Sequence, residues 1–161
     1  VGIAMYGISP GHAVDDLSSE LRPALSLRAR VSYVKMARAG SRISSGRISK
    51  FERDSNVATV PIGYADGVPR RLSTNGGEVL IGGRRRAIVG RVTMDQIMVD
   101  CGDDEVRIGD DVVLLGSQDG PDGVQTIRAE DWADQLDTIG YEIVCGISAR
   151  VPRFSRRSIE D

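Results

Sequence analysis

Hydrophobic and polar positions alternate along much of the chain. From position 25 onward, Leu25, Leu27, Ala29, Val31 and Tyr33 fall on one face of an extended segment. Ser26, Arg28, Arg30 and Ser32 fall on the other. That period of two predicts a strand with one covered face. Short apolar runs at 57–62, 78–81, 86–92, 96–100 and 111–115 predict further strands. Gly82-Gly83 separates "EVLI" from "RRRAIV" and predicts a two-residue hairpin turn, in which both central residues need positive φ. Asp103, Asp104, Gly109 and Asp110 mark another turn region. The opening "VGIAMYGI" predicts a buried strand end that turns at "SPG", and 12–23 reads as loop or short helix before Pro23. One helix stands out. Thr126 could cap "IRAEDWADQLDTI", with Trp132, Leu136 and Ile139 on one face and Gly140 as the stop. A last strand is predicted over 141–147. The expected fold is mainly β, a small barrel or sandwich-like domain with one clear α-helix.

Composition narrows the function classes. With 161 residues and 40% hydrophobic positions the chain can bury a core, and with aromatics at 4% that core must come from Val, Ile, Leu and Ala. The net charge of −2 argues against a general nucleic-acid binder, and the run "GGRRR" at 82–86 reads as a solvated hairpin end. No apolar run approaches the 18 or so residues of a membrane span, and no signal peptide is visible. Cys101 and Cys145 lack metal-type spacing and suggest buried thiols in a reducing compartment. His12 is the only histidine, which leaves little room for a histidine metal site or a Ser-His triad.

Two segments are denser in polar chemistry than a scaffold requires. In "VPIGYADGVPRRLS" (60–73), Gly63 and Gly67 flank Tyr64 and Asp66 at a strand end. Glycines there allow a sharp turn and close backbone approach, and strand-end loops carry function. A plain turn with Asp66 bonded to local backbone is the competing reading. In "GRVTMDQIMVD" (90–100), Arg91 and Asp95 break a strand-like pattern around Met94. The break suggests a bulge at a barrel rim or, more simply, an exposed kink with an ion pair.

In order along the chain, "GIAMYG", "RPALSLRARV", "ATVPIGYADGVPRRLS", "VLIGGRRRAIVGRVTMDQIMVD", "IGDDVVLLG" and "IGYEIVCGISARVPR" resemble the C-terminal domain of alanine racemases. These are fold-type III enzymes that use pyridoxal 5′-phosphate. The resemblance covers nearly the whole chain and implies a parent with an N-terminal (β/α)8 barrel, which carries the Schiff-base lysine and most of the cofactor pocket. On that basis 1–14 is the end of the barrel and 15–161 the β-domain, and the chain is a piece of a longer protein. The family works as a cytoplasmic homodimer. Each β-domain completes the site on its partner's barrel, and the product D-alanine is a peptidoglycan precursor. By similarity, Gly2 and Ile3 donate backbone amides to the cofactor phosphate, as close-approaching N–H groups can. Tyr141 matches the tyrosine on the same phosphate. Met94 and Asp95 match residues lining the substrate site, where an amide near Met94 meets the carboxylate of a small amino acid. Tyr64 matches a tyrosine at the mouth of the substrate channel. The chain on its own is expected to be inactive, since neither Lys35 nor Lys50, its only lysines, matches the Schiff-base position.

The family's second base is a tyrosine in a segment "G-x-x-[VI]-S-Y-G", 19 residues before the tyrosine of "GYADG". Here that segment is "GSRISSG" (40–46), and the tyrosine position holds Ser45. Racemisation exchanges protons on both faces of Cα. A serine hydroxyl stops a phenyl ring short, and its pKa lies far above the tyrosine value of about 10. Losing a positioned acid or base costs about 10²–10⁴ in rate. Three readings stay open: a racemase with an introduced or relaxed Ser45, an enzyme of changed chemistry or substrate, and a non-catalytic paralogue. A different class, an adaptor binding RNA or protein through Arg70, Arg71 and the 84–86 arginines, fits poorly with the acidic balance and few aromatics.

Overall fold

The computed structural model describes residues 2–11, 20–43 and 49–155. Among the described residues, ten strands and two α-helices follow a 3-10 turn at Gly2–Tyr6, with a further 3-10 turn at Leu72–Thr74. The strands are β1 (Leu27–Arg30), β2 (Tyr33–Ala37), β3 (Arg42–Ile43), β4 (Ser49–Lys50), β5 (Ser55–Val60), β6 (Glu78–Ile81), β7 (Arg84–Val89), β8 (Ile97–Asp100), β9 (Asp111–Gly120) and β10 (Gly123–Ile127). The helices are α1 (Ala129–Leu136) and α2 (Gly140–Cys145).

The main sheet runs β1-β9-β6-β7-β8-β5-β2, antiparallel throughout, with β10 added to the distal half of β9. Its two end strands are consecutive in the chain. Only Val31 and Ser32 separate them. Val31 N–H donates to Asp110 O at 3.0 Å, at the β9 end, and Ser32 N–H donates to Thr59 O at 2.9 Å, on β5. The sheet therefore curls until one bent segment seams both of its ends, which is a barrel. The bend also shifts the alternation. Leu27 and Val31 point into the core, but Tyr33 is exposed and Val34 takes the inward place.

β6 and β9 carry runs of buried residues, Val79–Ile81 and Val112–Leu115, with no polar alternation. Strands read this way when both faces are covered. Ala129, Trp132 and Ala133 of α1 join the same core. The Gly82-Gly83 turn forms as the sequence predicts, with φ of 62° and 69°. A smaller cluster of Ala37, Phe51 and Val57 anchors the β3–β4 hairpin beside the barrel.

Several elements differ from the sequence reading. The first residues form a 3-10 turn, not a strand end. Helix α1 starts at Ala129, because Arg128 N–H donates to the Asp131 carboxylate at 2.7 Å and Thr126 is spent in β10. It ends at Asp137, a left-handed residue with φ of 56°, so Ile139 lies off its face and is exposed. The predicted last strand at 141–147 is the helix α2, a second helix among the described residues. Gly140 and Ile143, three residues apart, are both buried, a spacing that shares one face of a helix but falls on opposite faces of a strand.

Candidate active-site face

The "GYADG" segment folds as a tight turn on a firm base. Val68 and Leu72 are fully buried just beyond it. Within the turn, Asp66 N–H donates to Gly63 O at 3.0 Å, and Gly63 N–H donates to the Asp66 Oδ2 at 2.8 Å. The local-backbone role of Asp66 is therefore real. It is not the whole of its role, since Asp66 is 8% exposed and its second oxygen, Oδ1, faces Arg150 Nε at 2.9 Å.

The polar break between β7 and β8 is a turn and not a bulge. Thr93 and Gln96 close it. Thr93 N–H donates to Gln96 O at 3.0 Å, and Gln96 N–H donates to Thr93 Oγ1 at 3.1 Å. Met94 and Asp95 form its exposed tip. The two turns dock through backbone. Tyr64 N–H donates to Thr93 O and Ala65 N–H to Met94 O, each at 3.0 Å. Gly63 is required there, because a Cβ would lie 2.3 Å from Thr93 O and 2.4 Å from Met94 O. Gly67 is required on the other side, with φ of 112° and a would-be Cβ 2.6 Å from Gly146 O.

This docking fixes one donor. The Thr93 carbonyl is held by Tyr64 N–H, and the peptide bond to Met94 is trans. The Met94 N–H, on the opposite edge of the same planar unit, must point away from the "GYADG" turn. Among the described residues it has no hydrogen-bond partner. The Tyr64 and Met94 side chains on the two docked turns are each about half exposed. Asp95 bonds Arg150, whose Nη2 donates to Oδ1 at 2.7 Å. That bond first, and then the Asp66 charge, hold the Arg150 guanidinium even more firmly protonated than an ordinary arginine.

The remaining site candidates lie in the opening 3-10 turn and in the first turn of α2. Gly2 has φ of 55° with open space where a side chain would stand, and Ile3 is buried behind it. The segment that follows is stapled down. Gly7 backs onto the Arg22 carbonyl, and Ala24 N–H donates to Tyr6 O at 2.9 Å. Gly140 meets Ile8, so the first turn of α2, with the partly exposed Tyr141, sits against this segment. The other end of α2 leads into Gly146, beside Gly67. A six-residue helix, about 9 Å long, thus runs from the Ile8 contact at Gly140 to Gly146 beside the "GYADG" turn. Ser45 lies outside the described residues, as do His12 and the expected boundary at 14/15.

Sequence reasoning missed Arg150, visible only as one residue of "ARVPR". Its partners lie 55 and 84 positions back, so no local pattern exposes it. The 84–86 arginines are engaged. Arg84 and Arg86 both pair with Asp104, and Arg85 pairs with Glu78 at 3.1 Å. The Arg86 hydrogen bond is the main reason the Asp104 carboxyl stays below the usual carboxylate range. Cys101 is buried and its thiol pKa is pushed up by that burial, whereas Cys145 is exposed. Among the described residues no group of three His, Cys, Asp or Glu could hold a metal ion, and no helix is long and apolar enough to cross a membrane.

Residues 24–155 match the family described as alanine racemase, C-terminal domain. The chain belongs to that family. It is 48% identical to alanine racemase of Halothermothrix orenii over 159 residues, covering 98% of this chain and 40% of the relative. It is 52% identical to the Salinispora arenicola enzyme over 153 residues, 94% of this chain and 39% of that protein. Among solved structures, alanine racemase from Bacillus anthracis with bound L-Ala-P superposes with a TM-score of 0.88 at 44% identity, covering 98% of this chain and 39% of that one. Alanine racemase from D-cycloserine-producing Streptomyces lavendulae gives 0.85 at 42% identity, covering 99% and 41%. The chain thus spans about two fifths of the length of these alanine racemases. The mainly β fold read from the sequence is that of the family's C-terminal domain.

Proposed function

We propose that this chain completes the active site of a cytoplasmic alanine racemase-like enzyme that uses pyridoxal 5′-phosphate, by closing over the barrel of a partner subunit in a homodimer. Residues 1–14 would be the tail of the chain's own barrel and 15–161 the β-domain. The observation that carries this reading is the Met94 N–H. It is an outward-facing donor at an exposed tip, without a partner among the described residues, held in place by the "GYADG" turn and suited to a substrate carboxylate. The exposed Tyr64 and Met94 side chains would face the substrate, and the match to alanine racemases supports a small amino acid in that place. Asp95 belongs to the framework of that tip.

Gly2 in the opening 3-10 turn and Tyr141 in the first turn of α2 suit the cofactor's phosphate. Gly2 offers open space beside its backbone, and Tyr141 presents a partly exposed hydroxyl. When bound, pyridoxal phosphate supplies the electron sink that makes the Cα proton of an amino acid removable. The chain's part is to hold the phosphate and carboxylate ends and exclude water. Its two lysines, Lys35 on β2 and Lys50 on β4, are exposed strand residues, and the Schiff base is assigned to a lysine of the barrel. Most of the chemistry would then reside in the barrel.

Ser45 favours a second reading, an enzyme of altered substrate or one-base chemistry, or a non-catalytic paralogue that still binds the cofactor. Ser45→Tyr in the protein as its gene encodes it separates them. A rise of about 10²–10⁴ in L-alanine racemisation supports a racemase missing one base. Cofactor binding without racemisation in either form supports the second reading.

A further inference from the structure

We propose that Arg150 is a positioning residue that fixes the carboxylate-receiving backbone at Met94 and balances the charge beside it. The inference rests on the reading of Met94 given above. Asp66 is buried and Asp95 sits one residue from the receiving amide, and a single guanidinium spans both carboxylates at 2.9 and 2.7 Å. Each Asp66 oxygen is engaged, Oδ2 by Gly63 N–H and Oδ1 by Arg150. Arg150 therefore closes a circuit. Gly63 and Asp66 hold one turn, Tyr64 and Ala65 donate to the other turn from below, and Arg150 ties the tip back through Asp95. The arginine is itself anchored. Ser148 N–H donates to Asp66 O at 3.1 Å, and Arg153 donates to the carbonyls of Ile147, Ser148 and Val151. Only a planar fork can reach two acids at once from one stem, so lysine replaces the charge without the geometry. Without any cation, two uncompensated carboxylates would face an incoming carboxylate substrate.

The test pairs kinetics with amide exchange in the protein as its gene encodes it, in both the natural and Ser45→Tyr backgrounds. Arg150→Ala is expected to raise KM for L-alanine about tenfold or more with kcat changed far less, the loss that follows removal of a charge-assisted hydrogen bond. That KM should fall as salt screens the exposed acids, a response that a general loss of packing does not give. Arg150→Lys should recover part of KM, and it keeps the test usable if Arg150→Ala fails to fold. Deuterium exchange over 61–68 should quicken in both variants, because the Tyr64 and Ala65 amides lose their fixed acceptors. Unchanged KM with unchanged exchange overturns the proposal. Should neither background racemise alanine, the functional reading falls, and the exchange over 61–68 alone decides whether Arg150 clamps the two turns.

Discussion

Gly63→Ala tests the docking of the two turns directly. At Gly63 the added methyl would overlap two carbonyl oxygens and the Met94 carbonyl carbon, at 2.3 to 2.5 Å, all backbone atoms. No side chain can swing away, so the turns must part. Parting them loosens two backbone hydrogen bonds, Tyr64 to Thr93 and Ala65 to Met94. At about 1 kcal/mol each, plus about 1–3 kcal/mol for the forced overlap, the expected loss is roughly 3–5 kcal/mol. For a chain of this size that corresponds to a fall in Tm of about 6–20 °C. Trp132 is the single tryptophan and is 1% exposed, so its fluorescence reports unfolding. Gly76→Ala is the control. Gly76 has φ of 79° but nothing within 4 Å of a Cβ, so only backbone strain of about 1–2 kcal/mol applies. If Gly63→Ala is no more destabilising than Gly76→Ala, the docking described here is wrong.

Two further outcomes follow from the electrostatics. The Asp104 carboxyl titrates below its unfolded value near 3.9, so its contribution to stability is present above about pH 4 and is lost as pH falls through the lower folded value. Side-chain exposure of 40% makes the effect small. In acid titrations of unfolding, Asp104→Asn should flatten the slope below pH 4; an unchanged slope would remove Asp104 as its source. A thiol reagent should modify Cys145 in the native protein within minutes, while Cys101, buried and with a raised pKa, reacts only after denaturation. Fast double labelling of the native protein would contradict the burial of Cys101.

The barrel was legible wherever the signal was local. β6 and the Gly82-Gly83 turn sit where the sequence places them, since a short apolar run and paired glycines need no distant partner to be read. The region 140–147 misled because "YEIVCGI" is rich in β-formers, while the burial that makes it a helix comes from packing against Ile8 and Gly67. Tyr33 left the predicted face because the alternation slips at the barrel seam, and a seam exists only once the sheet has closed. On the candidate face, the dense segments at 63–67 and 93–96 were visible as polar breaks between strands. Their mutual docking and the Arg150 bridge were not, because those contacts join residues 29 to 84 positions apart. Ser45 could be singled out only through its place in a family pattern.

The seam also sets a clock. Its two halves meet partners made at different times during synthesis. Ser32 finds Thr59 27 residues later, but Arg28 must wait for Asp111, 83 residues later. At about 5–20 residues per second, β1 stands without its neighbour for roughly 4–17 s after it is made. Through that interval one half of the strand can be paired while the other half is an open edge. The nascent chain is therefore most vulnerable to wrong strand pairing at residues 27–30, and mutations that delay β9 should show first as aggregation and only later as loss of activity.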